Sequence, residues 1–295
     1  MPYAYDIKID FLRDWSRILS ALLNQMGYKV EPGLDSMEVC IKYFNVQRRL
    51  VAPIPRKILF SREFRCPDFL QEGLDFVKEK IEKGIDLRPH LSKGILKLDY
   101  NDDLLNDWGI HHLHLGTVED EKGFVNRTGP VLFVRFDKNF AYFINVMEHG
   151  SWAKQELIKI IHDNWPESIE RYRVPWIEKM EPAVSDNDRK KLRKAHIVTF
   201  VEIEKGIIYA PLGMGYASSG ASIEVVRTCI HCNNRIALFE NTVKEKIVTL
   251  IQMMKDQGYK VGSRLHFLLG IESNIVYAFE VNSGVFIKLG PLFER

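Results

Sequence analysis

Three short apolar segments, Gly109 to Leu115, Val131 to Phe136 and Ala141 to Met147, constrain this chain more than any other feature. The last two are separated only by Asp137-Lys138-Asn139, a three-residue connection of turn formers, which predicts a hairpin. Three such segments in succession predict an antiparallel meander. Helical patterns flank them. Pro67-Asp68 opens one that runs through Phe69, Leu70, Leu74, Phe76, Val77 and Ile81 to a stop at Gly84, and Trp152 to Trp165 carries Leu157, Ile158, Ile160 and Ile161 before Pro166. The expected fold class is α+β, with a central antiparallel sheet, helices packed on one side of it, and a further α+β domain at the C-terminus.

Proline punctuation sets the expected division of the chain. Val51-Ala52-Pro53-Ile54-Pro55 blocks both helix and central strand. Residues 1–51 are thus expected as a small N-terminal piece: one helix from Asp6 to Met26, then short strands at Tyr28 to Val30 and Val39 to Phe44. Residues 52–166 form the central unit, and 167–185, with Pro175 and Pro182, are the second linker. Residues 186–295 are the expected C-terminal domain, opening on a helix capped by Ser185 to Asp188 and closing on strands at Leu265 to Leu269, Ile275 to Val281 and Val285 to Leu289.

Bulk composition removes several function classes. With 41 Lys+Arg against 39 Asp+Glu, formal net charge +2, the chain is no polybasic nucleic-acid coat, so nucleic acid would meet a local patch. No apolar run approaches the roughly 20 residues needed to span a bilayer, and Asp6, Asp10 and Arg13 interrupt any signal-peptide core. A cytoplasmic protein is the expectation. Four scattered cysteines give no disulfide framework and agree with it.

Within the first strand, alternation sends Ile110, His112 and His114 to one face and His111, Leu113 and Leu115 to the other. His111 is therefore the better candidate for a structural role. Arg135 is the odd polar residue of its strand, and Phe143, Asn145, Met147 and His149 are expected to share a face of the third. From about 54 to 165 the order of strand, helix and three-stranded meander ending in His149-Gly150 resembles the RelE/ParE-type toxin fold. That resemblance implies a ribonuclease with His112, His114, Arg135 and His149 on the exposed sheet face, acting on RNA and partnered by an antitoxin or other protein. The family's usual length is about a third of this chain, which carries long extensions at both ends.

The chemistry suits those residue types. Metal-free RNA cleavage needs a group that deprotonates the 2′-hydroxyl, an acid for the leaving oxygen and a cation for the phosphorane. Histidine fills either proton role near neutrality, and Arg135 can supply the cation. His112 and His114 project about 7 Å apart on one strand face. An RNA-cleaving or RNA-binding, toxin-like protein is the expected function, with two alternatives. In one, His112, His114 and His149 ligate a divalent metal such as zinc in a metal-dependent hydrolase. In the other, the sheet is a non-catalytic protein-interaction module with structural histidines.

Remaining motifs carry less. Cys229-Ile230-His231-Cys232 has a zinc-knuckle gap but no second pair, and is expected as small side chains at a strand end. Gly213 to Gly220 lacks the Gly-Lys-Ser/Thr ending of a phosphate loop and is expected as a plain loop. Arg189, Lys190, Lys191, Arg193 and Lys194 are expected as a solvated helix face, with phosphate or RNA contact the rival use.

Overall fold

The structure is a computed structural model that describes residues 5–294. In chain order the elements begin with β1 (Asp6–Ile9), α1 (Phe11–Gln25), α2 (Ser36–Arg49), β2 (Lys57–Phe60), α3 (Gln71–Lys83) and α4 (Asp103–Trp108). Next come β3 (Ile110–His114), β4 (Pro130–Phe136), β5 (Phe140–Glu148), α5 (Glu156–Asn164), α6 (Pro166–Ile169) and α7 (Asp186–Lys194). The chain closes through β6 (Val201–Glu204), β7 (Ile207–Tyr209), α8 (Ile223–Glu245), α9 (Ile247–Asp256), β8 (Arg264–Glu272), β9 (Ile275–Glu280) and β10 (Val285–Pro291). The class is α+β, as expected. Among the described residues no helix is long and apolar enough to cross a membrane.

Two compact units form, and their limits differ from the proline-based division. One unit comprises Met1–Phe44 with Arg227–Arg295, the other Asn45–Val226. The expected boundaries at 51/52 and 185/186 fall elsewhere because strand pairing, invisible to local punctuation, ties the N-terminal segment to the last three strands. Residues 186–226, expected in a C-terminal domain, belong to the second unit.

In the first unit a four-stranded sheet has the order β1-β8-β9-β10. β1 runs parallel to β8, from Asp6 opposite Arg264 to Ile9 opposite Phe267. The helix expected over Asp6 to Met26 therefore begins later, at Asp10, whose carboxylate accepts from the Arg13 N–H at 3.0 Å. α1 buries Phe11, Trp15, Leu19 and Leu23, a stripe of period four that packs on β8. The strand expected at Val39 to Phe44 lies in α2. A short apolar run is ambiguous by periodicity, and reciprocal capping decides it: the Glu38 N–H donates to Asp35 and the Asp35 N–H donates to Glu38, at 2.8 and 2.9 Å. Cys229 and Cys232, expected at a strand end, sit three apart in α8 and are buried, as is Cys40.

The second unit is built on a sheet of order β2-β5-β4-β3. The meander is antiparallel as expected, whereas β2 joins β5 in parallel, making the sheet mixed. Helices cover both faces rather than one. Leu74, Val77 and Ile81 of α3 pack with Leu113, Leu132, Val134, Ala141 and Phe143, while Leu157, Ile158 and Ile161 of α5 pack with Ile110, Val131, Phe133 and Ile144. The sandwich is tight where α3 crosses the end of β3, since a Cβ added at Gly73 would stand 1.8 Å from the Leu115 carbonyl oxygen.

A bulge interrupts β5. Phe133 opposes Asn145 but Val134 opposes Phe143, leaving Ile144 as the extra residue. Phe143 consequently faces α3, and the face expected for Phe143, Asn145, Met147 and His149 together is split. Asn145 and Met147 lie on the side of Phe133 and Val131, with His149 in phase with them.

Candidate functional site

β3 places its alternate side chains as the alternation predicts. Ile110 opposes Arg135, His112 opposes Phe133 and His114 opposes Val131, so all six share the face that looks toward α5. Beyond the bulge, β5 brings His149 to the same side. The rings of His112 and His114 lie 5.9 Å apart, those of His112 and His149 6.4 Å, and those of His114 and His149 stack at 6.0 Å. Trp152 completes the group, 4.4 Å from His112 and 4.8 Å from His149. Three of the four expected site residues thus converge.

Arg135 does not join them. It lies two positions from Phe133, beside Ile110, with its guanidinium 5.7 Å from the centre of the Tyr142 ring. The Tyr142 hydroxyl donates to Asp137 at 2.8 Å. The expected phosphate cation is therefore held in a Tyr142–Asp137 setting away from the histidines.

The histidines differ in environment. His112 and His114 are buried, at 8% and 2% exposure, while His149 is exposed. Burial pushes His112 down from 6.5 to about 4 and His114 to about 3, with neighbouring histidines and Arg127 adding to the effect. Both are neutral imidazoles at physiological pH. Arg127 Nη1 lies 3.3 Å from His114 Nε2; because a guanidinium only donates, Nε2 accepts and the His114 proton resides on Nδ1. His90 Nδ1 donates to the His114 carbonyl at 2.8 Å, pinning that end of β3. On the opposite face His111 packs edge-on against Phe136 at 5.5 Å, and neither of its ring nitrogens has a partner. Burial holds it at about 3 as well, which suits a packing residue.

His112 also opens onto a pocket of about 560 Å³. Its walls are the Tyr100 to Leu104 segment before and in α4, the Gly150 to Ala153 turn with Trp152, and α7 with Lys190, Lys191, Arg193 and Lys194. The basic run, expected as a solvated face, thus splits in two. Ser185 and Asp188 cap α7 reciprocally, fixing its start. Arg189 and Arg193, four apart, turn inward at 1% and 4% exposure, while the lysines line the pocket.

One carboxylate receives both arginines. Arg193 Nε donates to Asp107 Oδ2 at 2.7 Å, and Arg189 Nη1 stands 3.8 Å from the same oxygen. Both guanidiniums lie against the Trp108 ring, at 4.2 and 5.3 Å. Arg189 further donates to Thr199 Oγ1 and the Phe200 carbonyl, and Arg193 to the Trp152 carbonyl. Burial raises the Asp107 carboxyl despite the two cations, its largest influence being the loss of water. Two cations against one carboxylate leave this wall of the pocket positive. Arg193 Nη2 and His112 Nδ1 have no hydrogen-bond partner.

Opposite α7 stand Asp102 and Asp103. Asp102 caps α4, accepting from the Leu105 N–H at 3.0 Å, and burial raises the carboxyl of each. The pocket lining therefore combines the basic residues of α7 with two carboxyls, of which Asp102 is engaged in capping α4.

Sequence reasoning missed Trp152 and Asp107 as site residues and gave Arg193 and the lysines phosphate contact only as the rival use. The signal that could have found them is the Arg189/Arg193 spacing, which puts two guanidiniums on one helix face with too few local acids to pair them. Asp107 belongs to the arginines. Among the described residues no group of three or more His, Cys, Asp or Glu is disposed to hold a metal ion, His112, His114 and His149 included. Comparison with protein-family models, curated proteins and solved structures gives no match.

Proposed function

We propose that the pocket of the second unit binds a phosphate ester of RNA, and that His112 and His149 move protons on it. One observation carries the reading: Arg193 and His112, both more than nine-tenths buried, line the same pocket as Lys190, Lys191 and Lys194. Lys190, Lys191 and Lys194 supply the charge that draws a phosphate in, and the Arg193 guanidinium lies in the same wall.

In this reading Arg193 takes the role expected of Arg135. The 2′-hydroxyl gives its proton to neutral His112, the 2′-oxygen attacks phosphorus, and the 5′-oxygen leaves with a proton from His149. The products are a 2′,3′-cyclic phosphate and a 5′-hydroxyl end. His112 begins as a weak base because burial holds it down, and the phosphodiester anion beside it raises its affinity for the proton. Trp152 offers a face for a base. His114, sealed behind Arg127, is a positioning residue. The outline resemblance to RelE/ParE-type ribonucleases supports RNA as the substrate and, with it, a cytoplasmic toxin held by an antitoxin.

The test is cleavage of end-labelled RNA with analysis of the product ends. His112→Ala is expected to lower the rate at least 100-fold, and Lys190→Glu with Lys191→Glu to raise KM with the fold intact. Wild-type protein that leaves single-stranded and structured RNA whole, and that shows no calorimetric binding of a 3′-nucleotide, overturns the reading.

A further inference from the structure

The first unit has a surface that the pocket chemistry does not use. Its sheet is packed on one face only: Leu265, Phe267, Leu269, Val276 and Ala278 point inward and are buried. The alternating residues point outward, and register arranges them in rows. Lys8 opposes His266. Leu268, Phe279 and Phe286 form the next row, and Gly270, Tyr277 and Lys288 the one after it. The Phe279 and Phe286 rings lie 4.5 Å apart at 31°, with Phe286 67% exposed.

Aromatic rings on a sheet surface ordinarily seek cover, because burying apolar surface is favourable. Here Phe286 is exposed and Phe279 and Tyr277 are half-buried, with a lysine at each edge of the sheet, Lys8 on β1 and Lys288 on β10. No carboxylate stands in these three rows. Acids begin one row farther out, at Glu272 and at Asp6, which stands 3.8 Å from Arg264. Flat rings with cations at the rim and no acid among them match the two needs of a single nucleic-acid strand, stacking for bases and counter-charge for phosphates. A protein partner of ordinary composition would meet the rings but leave the edge lysines without acids.

We propose that this open face binds single-stranded nucleic acid by stacking bases on Phe279, Phe286 and Tyr277 while Lys8 and Lys288 contact phosphates. The surface is independent of the His112 pocket and of whatever that pocket binds.

The experiment is fluorescence anisotropy with a labelled 12-nucleotide single-stranded DNA, which has no 2′-hydroxyl for the pocket to act on. It uses the full chain carrying Lys190→Glu and Lys191→Glu to silence the pocket. Binding is expected to persist there, to weaken about tenfold or more on adding Phe279→Ala with Phe286→Ala, and to lose salt dependence on adding Lys8→Glu with Lys288→Glu. Duplex DNA of the same length is expected to bind more weakly. Unchanged affinity in the phenylalanine variant overturns the proposal. So does a dimer, seen by sedimentation, that those substitutions dissolve, since a second copy would then be the occupant. All four positions are surface positions, and far-ultraviolet circular dichroism verifies that the variants fold.

Discussion

Acid should unfold the second unit through its histidines. His111, His112 and His114 have folded-state values of about 3, 4 and 3 against an ordinary 6.5. A depressed value means that the unfolded chain takes up protons first as the pH falls. The stability these groups contribute is fully present above about pH 6.5 and is lost from there toward pH 3 to 4. At pH 5 each costs about 2 kcal/mol relative to pH 8, and three cost about 6 kcal/mol. A domain has only about 5–15 kcal/mol in total. The second unit should therefore be marginal at pH 5, in a range where most carboxylates are still ionised. Urea unfolding at pH 8, 6 and 5 measures the fall directly. His114→Gln keeps an acceptor for Arg127 but does not titrate, and should recover about 2 kcal/mol of the pH 5 loss. A stability at pH 5 within about 1 kcal/mol of that at pH 8, or an unaltered pH dependence in His114→Gln, would refute the reasoning.

Two further substitutions probe the packing that holds the pocket. Asp107→Asn strips the shared carboxylate from two buried guanidiniums and should cost about 3–5 kcal/mol, lowering Tm by roughly 6–20 °C for a unit of this size. Arg189→Met in that background should return part of the loss, and additive effects in calorimetry would show that the two do not interact. Gly73→Ala forces α3 away from the Leu115 carbonyl and should cost about 1–3 kcal/mol. Unchanged chemical unfolding would mean that the helix shifts freely.

Legibility in the sequence followed the range of the interaction. The meander was visible because alternation and a three-residue turn are local, and so were the faces of His112, His114 and His111. The reciprocal caps at Asp35/Glu38 and Ser185/Asp188 are equally local, and the first marks Val39 to Phe44 as helix. What could not be read depends on distant pairing. Arg193 looks solvated until Asp107, 86 residues away, is placed beside it. The N-terminal segment looks like part of a helix until Ile7 and Ile9 find Leu265 and Phe267. Arg135 was correctly marked as unusual and misassigned, because Tyr142, which holds it, lies across the hairpin.

The extra residue in β5 sets a clock for the strand. Counted by twos from Phe143, His149 would arrive on the α3 side, with the sheet between it and His112. Ile144 advances the count by one, so every position after it changes sides. The proximity of His149 to His112 is therefore a property of strand length, and no side-chain choice at 149 could restore it once lost. Inserting one residue between Asn145 and Glu148 would leave the composition of the cluster untouched and place its members on opposite surfaces of the same sheet.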